Sequence, residues 1–156
     1  MADTAAAPPL HPGPSHPVLE QDAVTRWLGL AVEHLAPGEA AVTMELRAEM
    51  LNGFGIAHGG MIFAFADSAF ALACNASGAA RLEDMEFITV AAGADINFIS
   101  PARPGETLRA VASHRASSGR SGLYDIEITA LGAGASRVVA EFRGRSRSIA
   151  NPRYRP

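Results

Sequence analysis

Residues 59 to 76, GGMIFAFADSAFALACNA, constrain the fold more than any other stretch of this chain. Alanine is dense, and neither proline nor glycine interrupts the run after Gly60, which predicts a helix over 59–76. Asn75 and Gly78 suit its C-terminal cap. Apolar residues occur on every side, so the helix has no face that belongs in water and must be buried on most sides. The rest of the chain therefore has to wrap around it.

The remaining segments have the pattern to do so. LAVEHLAPGEAAVTMELR reads as two strands around a Pro37-Gly38 turn, and Val42, Met44 and Leu46 alternate with Thr43, Glu45 and Arg47. After the helix come MEFITVAAGADINFIS, ETLRAVASHRAS, GLYDIEITAL and SRVVAEFRGRSRS, joined by glycine-rich turns. In the third of these Tyr124, Ile126, Ile128 and Ala130 share one face. In the fourth, Val138, Ala140 and Phe142 oppose Arg137, Val139, Glu141 and Arg143. Strands joined by short turns are antiparallel. The expected class is α+β: an antiparallel sheet curved around one long helix. VLEQDAVTRWLGL, 18 to 30, reads as a short amphipathic helix with Val18, Ala23, Trp27 and Leu28 on one side.

Length and composition bound the rest. A chain of 156 residues fits one domain, here expected over 18–150. The first 17 residues hold five of the ten prolines, which exclude a helix and leave little to bury. They are expected to be a disordered tail with His11 and His16 solvated, and 151–156 a short C-terminal tail. The net charge of −3 makes no case for nucleic acid or an anionic membrane as partner. The longest apolar run is shorter than the ~20 residues a membrane span needs, and no basic start precedes an apolar stretch, so a cytoplasmic protein is expected. The single cysteine, Cys74, excludes an internal disulfide and reads as a small buried hydrophobe. His34, His58 and His114 stand apart from one another and make no metal site. No phosphate loop, dinucleotide fingerprint or G-x-S-x-G elbow occurs, and no cofactor is implied.

One residue contradicts the apolar helix. Asp67 has Phe63, Ala64, Phe70 and Ala71 at the helical spacings of three and four, and none of them can pair with a carboxylate. A buried carboxylate must be hydrogen-bonded, raised in pKa, or facing a cavity. A structural bond to another strand is one reading, and a substrate-facing carboxylate is the other. Ser68 adjoins it and is placed to support a water or a backbone group. At the start of the helix, Gly59 and Gly60 either let the chain turn or expose N–H groups that bind an oxyanion. Gly59 and Asp67 are eight residues apart, roughly 12 Å along a helix. Both could not reach one carbonyl from the same chain. If both act on it, Asp67 must come from a second subunit, giving a homodimer with two composite sites.

MLNGFGIAHGGMIFAFADSAFALACNA, followed in order by PARPGETL, GRSGLYDIEI and AEFRGRS, resembles the hotdog-fold acyl-CoA thioesterases, most closely the phenylacetate-degradation branch. The resemblance covers roughly residues 30 to 148. It implies a sheet wrapped around a central helix, dimers with two helices side by side, and pairing of dimers into a homotetramer. It implies an acyl-CoA substrate, with aryl-acetyl groups favoured, hydrolysed to the free acid and CoA. The family's motif falls on Asn52, His58, Gly59 and Asp67. Gly59 would polarise the thioester carbonyl, Asp67 of the neighbouring subunit would act as nucleophile or general base, and Asn52 would orient the carbonyl or the attacking water. His58 would hold the loop, and Ser68 falls where relatives carry a small hydroxyl residue. CoA-facing positions by the same resemblance are Phe98, Ser100, Arg103, Ser118, Arg120 and Ser121.

Two positions depart from the family pattern. Ala91 stands where some relatives have a water-positioning serine, and Met61 follows HGG where this branch often has a polar residue. Phe54, Met61, Phe63 and Phe70 are candidates to line an aromatic-accepting pocket or, for the helix residues, to pack the core. Arg143, Arg145 and Arg147 alternate on one strand face and read as a solvated or subunit-facing surface. Rival readings are a hotdog-fold hydratase or dehydratase, whose HFPG-like signature is absent here, and a non-catalytic acyl-CoA binding protein.

Overall fold

In a computed structural model that describes residues 12–75 and 78–156, the strands are β1 (Ala31–Ala36), β2 (Glu39–Glu45), β3 (Phe87–Phe98), β4 (Thr107–Ser118), β5 (Ser121–Leu131) and β6 (Arg137–Ala150). They form one sheet in the order β1-β2-β4-β5-β6-β3, and every neighbouring pair is antiparallel. Strands β1 and β3 are its edges. Strand β3 follows the long helix in sequence yet pairs with β6, so the chain crosses over the sheet before returning along its far edge.

Of the helices, α1 (Ala23–Leu28) is short and α2 (Gly59–Cys74) is long. α2 packs against β2 to β6, the hotdog arrangement. Ile62, Phe65, Ala66, Ala69, Phe70, Leu72 and Ala73 are buried against the sheet. Each large apolar side chain so buried contributes roughly 1.5–3 kcal/mol. They meet the alternating inward residues of the sheet, among them Val42, Met44, Leu108, Ile126, Ile128 and Phe142. The sheet approaches closest at Gly144, where an added Cβ would lie 2.7 Å from the Phe70 ring. A side chain there would push the helix off β6.

α2 ends at Cys74 with Asn75 as its cap residue, two residues earlier than the spacing predicts; Ala76 and Ser77 lie outside the described residues. The helix is also less enclosed than its composition predicts. Gly60, Phe63, Ala64, Asp67, Ser68, Ala71 and Cys74 form a stripe less buried than the residues between them. Asp67 lies in the middle of that stripe, which explains how this helix tolerates a carboxylate: it faces away from the chain's own core.

Three other expectations change. α1 is only six residues long, and it buries Thr25 and Leu28 while Ala23 and Trp27 are exposed. The Arg47 guanidinium lies over the Trp27 ring, 5.2 Å from its centroid, and covers it from outside. The alternation in β6 breaks at residue 139. Ile128 pairs with Ala140 but Thr129 with Val138, so Val139 is an extra residue and is fully buried. Its carbonyl accepts from the Ile99 and Ser100 amides and starts the turn out of β3. Finally, residues expected in the two tails, His16 and Asn151, pack on the domain. His16 is buried, its Nε2 lying 2.7 Å from the Asn75 carbonyl and its Nδ1 accepting from the Val18 amide. That pattern places the ring proton on Nε2. Asn151 is buried too, donating from Nδ2 to the Leu82 and Met85 carbonyls. His11, Pro8 and Pro9 lie outside the described residues.

Candidate active site

The loop before α2 is tied by Asn52. Its backbone bonds to Ile56 and Gly55, and its side-chain Oδ1 accepts from the Phe54 amide at 2.9 Å and the Ile56 amide at 3.4 Å. Two N–H donors facing one atom settle which atom is oxygen. Asn52 Nδ2 therefore carries the free donors, and none of the described residues accepts from them. His58 is the N-cap of α2: its Nδ1 accepts from the Gly60 amide at 2.9 Å, and its carbonyl takes the Met61 amide. This capping skips Gly59. Among the described residues nothing accepts from the Gly59 N–H, although it sits at the positive end of a sixteen-residue helix.

Asn52 and Gly59 line one cleft of about 460 Å³ together with Ile56, Ile62, Phe98, Ile99, Ser100 and Pro101. The Phe98 ring lies so close to Gly59 that an added Cβ would be 3.1 Å from it. A side chain here would press on that ring. The cleft's far wall is the PARPG turn. Arg137 grips both oxygens of Glu106 at 2.8 Å and donates to the Pro101 carbonyl, and Glu106 also accepts from the Arg103 amide. Arg137 holds the Glu106 carboxyl below the usual carboxylate range.

Asp67 does not reach this cleft. It lines a second cavity of about 320 Å³ with Val18, Phe70, Ala71, Cys74, Asn75, Leu82, Ile88, Thr89, Val90 and Ala91. No donor among the described residues bonds its carboxylate. Burial, and to a lesser extent the nearby Asp22 charge, raise its pKa above the ordinary aspartate value. Burial also pushes the Cys74 thiol up to about 12, so that sulfur is not a nucleophile near neutral pH. Ser68 Oγ donates to the Ala64 carbonyl one turn earlier at 2.8 Å, which leaves its lone pairs free to accept. Ala91 is in the wall of the Asp67 cavity and offers no hydroxyl there.

The expected CoA-facing residues fall into two groups. Phe98 and Ser100 line the Gly59 cleft, Ser100 donating to the Val138 carbonyl at 2.6 Å, and Arg103 is exposed beside them on the PARPG turn. Ser118 and Ser121 line a third cleft with Ala92, Gly122, Arg145 and Ser146, and exposed Arg120 is in the turn between them. The sheet register measures the gap. Phe98 pairs with Ala140, whereas Ser121 pairs with Arg147, which pairs with Val90. Seven residues of β6 separate the two levels, roughly 23 Å. Asp67, beside Val90 and Ala91, belongs with the Arg120 level.

Of the aromatic candidates, Phe70 lines the Asp67 cavity. Phe63 packs edge-on against Phe142 with centroids 5.1 Å apart, Met61 packs on the core, and Phe54 is 90% exposed. Among the arginines of β6, Arg143 pairs with Asp125 through two bonds and Arg145 with Asp95. Sequence reasoning missed Ile99, Val18 and Leu82 as lining residues. Nothing in periodicity marks them, since each lies outside regular strand or helix pattern where it reaches its cavity. Among the described residues no three of His, Cys, Asp or Glu gather into a possible metal site, and no helix is long and apolar enough to cross a membrane.

Comparison with known proteins places these features in a family. The thioesterase superfamily model matches residues 54–135. The acyl-coenzyme A thioesterase PaaI of Escherichia coli (strain K12) is 40% identical over 135 residues, covering 86% of this chain and 89% of the relative. The solved structure of the E. coli PaaI protein from the phenylacetic acid degradation operon superposes with a TM-score of 0.75 at 39% identity, over 86% of this chain and 89% of that one. A solved protein from Thermus thermophilus superposes with a TM-score of 0.69 at 38% identity, over 81% of this chain and 97% of that one.

Proposed function

This chain belongs to the thioesterase superfamily, and from that premise we propose that it hydrolyses acyl-CoA thioesters, with aryl-acetyl-CoA of the phenylacetyl or hydroxyphenylacetyl type as the preferred class. The observation that carries the mechanism is a pair of unpartnered groups on one helix, the Gly59 N–H and the Asp67 carboxylate, each opening into a different cavity.

Two copies of the chain unite the two cavities. Strand β3 is a free edge with exposed Phe87, Val90, Phe98 and Ile99. Antiparallel pairing of two β3 edges about Ala94 sets Phe98 of one copy opposite Val90 of the other. The Gly59 cleft of each copy then meets the Asp67 cavity of its partner, and the Arg103 and Arg120 levels meet as well. The less buried stripes of the two α2 helices lie side by side. A homodimer with two composite sites follows, and such dimers pair into a tetramer.

In each site the thioester carbonyl oxygen sits against the Gly59 N–H, where the helix end stabilises the charge that develops on it. Asn52 Nδ2 supplies a second donor to that oxygen or to the water. Ionised Asp67 either takes a proton from the water that attacks the carbonyl carbon or attacks it directly. The first route collapses with loss of the CoA sulfur, which leaves as thiolate and is protonated. In the second, attack by Asp67 expels the CoA thiolate, which is protonated, and leaves an acyl–aspartate anhydride that water then cleaves. Single-turnover hydrolysis in ¹⁸O-water identifies the second when water attacks the aspartyl carbon, which leaves label in Asp67 and unlabelled oxygen in the product acid; trapping of the anhydride by hydroxylamine identifies it when water attacks the acyl carbon. His58 holds the loop, and the arginines of the two levels meet the phosphates of CoA.

The dimer is tested by mixing. Asn52→Ala and Asp67→Ala proteins are each inactive under this scheme. After confirmed subunit exchange, a mixed dimer regains one intact site and measurable thiol release. Absence of recovery overturns the composite site. A panel of phenylacetyl-, hydroxyphenylacetyl- and medium-chain acyl-CoAs tests the substrate class.

A further inference from the structure

Two segments, residues 16–19 and the turn Leu82–Asp84 held by residues 151–155, converge on the Asp67 cavity. From the N-terminal side, Val18 is in its wall. Val18 is held in place from both directions. Its amide donates to His16 Nδ1, His16 Nε2 is bonded to the Asn75 carbonyl, and Pro17 and Leu19 beside it are buried. From the other side comes Leu82, in the single turn Leu82–Asp84. That turn has no strand to hold it. It is fixed by residues 151–155: Asn151 Nδ2 donates to the Leu82 and Met85 carbonyls at 2.7 Å, its backbone amide bonds to Glu86, and the Arg155 amide bonds to Glu83. The two segments are joined to each other, since Arg153 donates to the Gln21 side chain at 3.1 Å. The floor is rigid as well, with Asn75 bonded to the Ala71 and Thr89 carbonyls and to the Thr89 amide.

We propose that these two latched segments are the acyl-selecting wall of the site, with Val18 and Leu82 setting the size of acyl group admitted and Asn151 positioning Leu82. The inference rests on the thioesterase reading and specifies its substrate class. The cavity of about 320 Å³ is at the small end of the roughly 300–1,000 Å³ typical of ligand pockets. Its lining is mostly apolar, with Val18, Phe70, Leu82, Ile88 and Val90 beside Asp67, and Asn75 and Thr89 the polar members. It therefore takes a compact apolar acyl group, aromatic or of medium length, and excludes long chains at the Val18–Leu82 wall.

The experiment compares Val18→Ala, Val18→Leu, Leu82→Phe and Asn151→Ala with the unaltered protein. kcat/KM is measured for acetyl-, phenylacetyl-, octanoyl- and palmitoyl-CoA, and Kd for the matching non-hydrolysable S-(2-oxoalkyl)-CoA analogues. One methylene in an apolar pocket changes discrimination by about tenfold or more. Val18→Leu and Leu82→Phe should lower the octanoyl-to-acetyl ratio at least about tenfold, and Val18→Ala should raise it. Asn151→Ala should flatten the ratio while leaving the Asp67-dependent acid limb of the pH profile where it was, a split that general loosening of the fold does not produce. Leu82 is only half-buried, so Leu82→Phe decides the question if a Val18 variant fails to fold. An unaltered protein that hydrolyses thioesters, with variants whose ratios all stay within about twofold, overturns this wall while leaving the thioesterase reading intact. An unaltered protein that neither hydrolyses nor binds any of the series overturns both.

Discussion

The two reactive points of α2 are built in opposite ways. Around Gly59 the neighbouring acceptors are spent: Asn52 Oδ1, His58 Nδ1 and the His58 carbonyl all bond the loop, while the Gly59 N–H and Asn52 Nδ2 stay free to donate among the described residues. Around Asp67 no described residue bonds the carboxylate, and apolar residues close in until its pKa rises. A site for developing negative charge must be preorganised, because donors that had to reorient would lose most of their effect. A base or nucleophile must instead be poorly solvated, so that it gains by giving up its charge. Under the proposed mechanism one helix carries both functions, separated by about two turns.

Removing the charge at Asp67 tests the unsatisfied half most severely. Asp67→Asn should lower kcat by ~10²–10⁴, or more if the carboxylate is the nucleophile, measured by thiol release. The same change should raise Tm. A carboxyl whose folded pKa lies above its unfolded value binds its proton more tightly when folded, so the ionised form opposes folding at neutral pH. A fall in both activity and Tm would break the contrast between the two regions. Next is the preorganised half. Asn52→Asp keeps the oxygen that holds the loop and loses the free donor, and should cost ~10²–10³ in kcat with little change in Tm.

The position of the acid limb sharpens the comparison further. Activity should rise with pH through a midpoint above the ordinary aspartate value, because Asp67 works only when ionised and its burial holds the proton. That limb should vanish in the residual activity of Asp67→Asn. Gly144→Ala acts on both halves through α2, since its Cβ meets the Phe70 ring; overpacking of this kind costs about 1–3 kcal/mol of stability, read by denaturant unfolding. The smallest effect is expected at the exposed turn. Arg120→Ala should raise KM severalfold and leave kcat unchanged, as an exposed charge pair contributes ~0.2–1 kcal/mol.

How much of this is legible in the residues alone differs from place to place. The strands are legible because alternation with period two survives in β2 and β5, where one face meets the helix and the other meets water. The pattern fails at Val139, since a bulge leaves no mark in composition. Asp67 stands out as an anomaly because no helical neighbour can pair with it. Its cavity does not, because Leu82 comes from a segment without periodicity and Val18, which reads as part of the helix at 18–30, lies in a separate turn before α1. Trp27 reads as buried because a large apolar ring looks so in any sequence, whereas here an arginine covers it. His16 reads as solvated because its proline-rich surroundings carry no sign of the carbonyl that binds it 59 residues away.

The amino-acid sequence by itself determined the class of fold and the residues able to do chemistry. One all-round apolar helix demands a sheet around it, and a carboxylate without a local partner demands a use. Only the tertiary structure decided that Asp67 and Gly59 open into separate cavities, that the Phe98 and Ser121 levels of the sheet stand roughly 23 Å apart, and that Val18 and Leu82 come to line the cavity of the acid. Those outcomes depend on contacts between residues far apart in the chain. Local pattern records which faces are apolar, but not which distant segment will cover them.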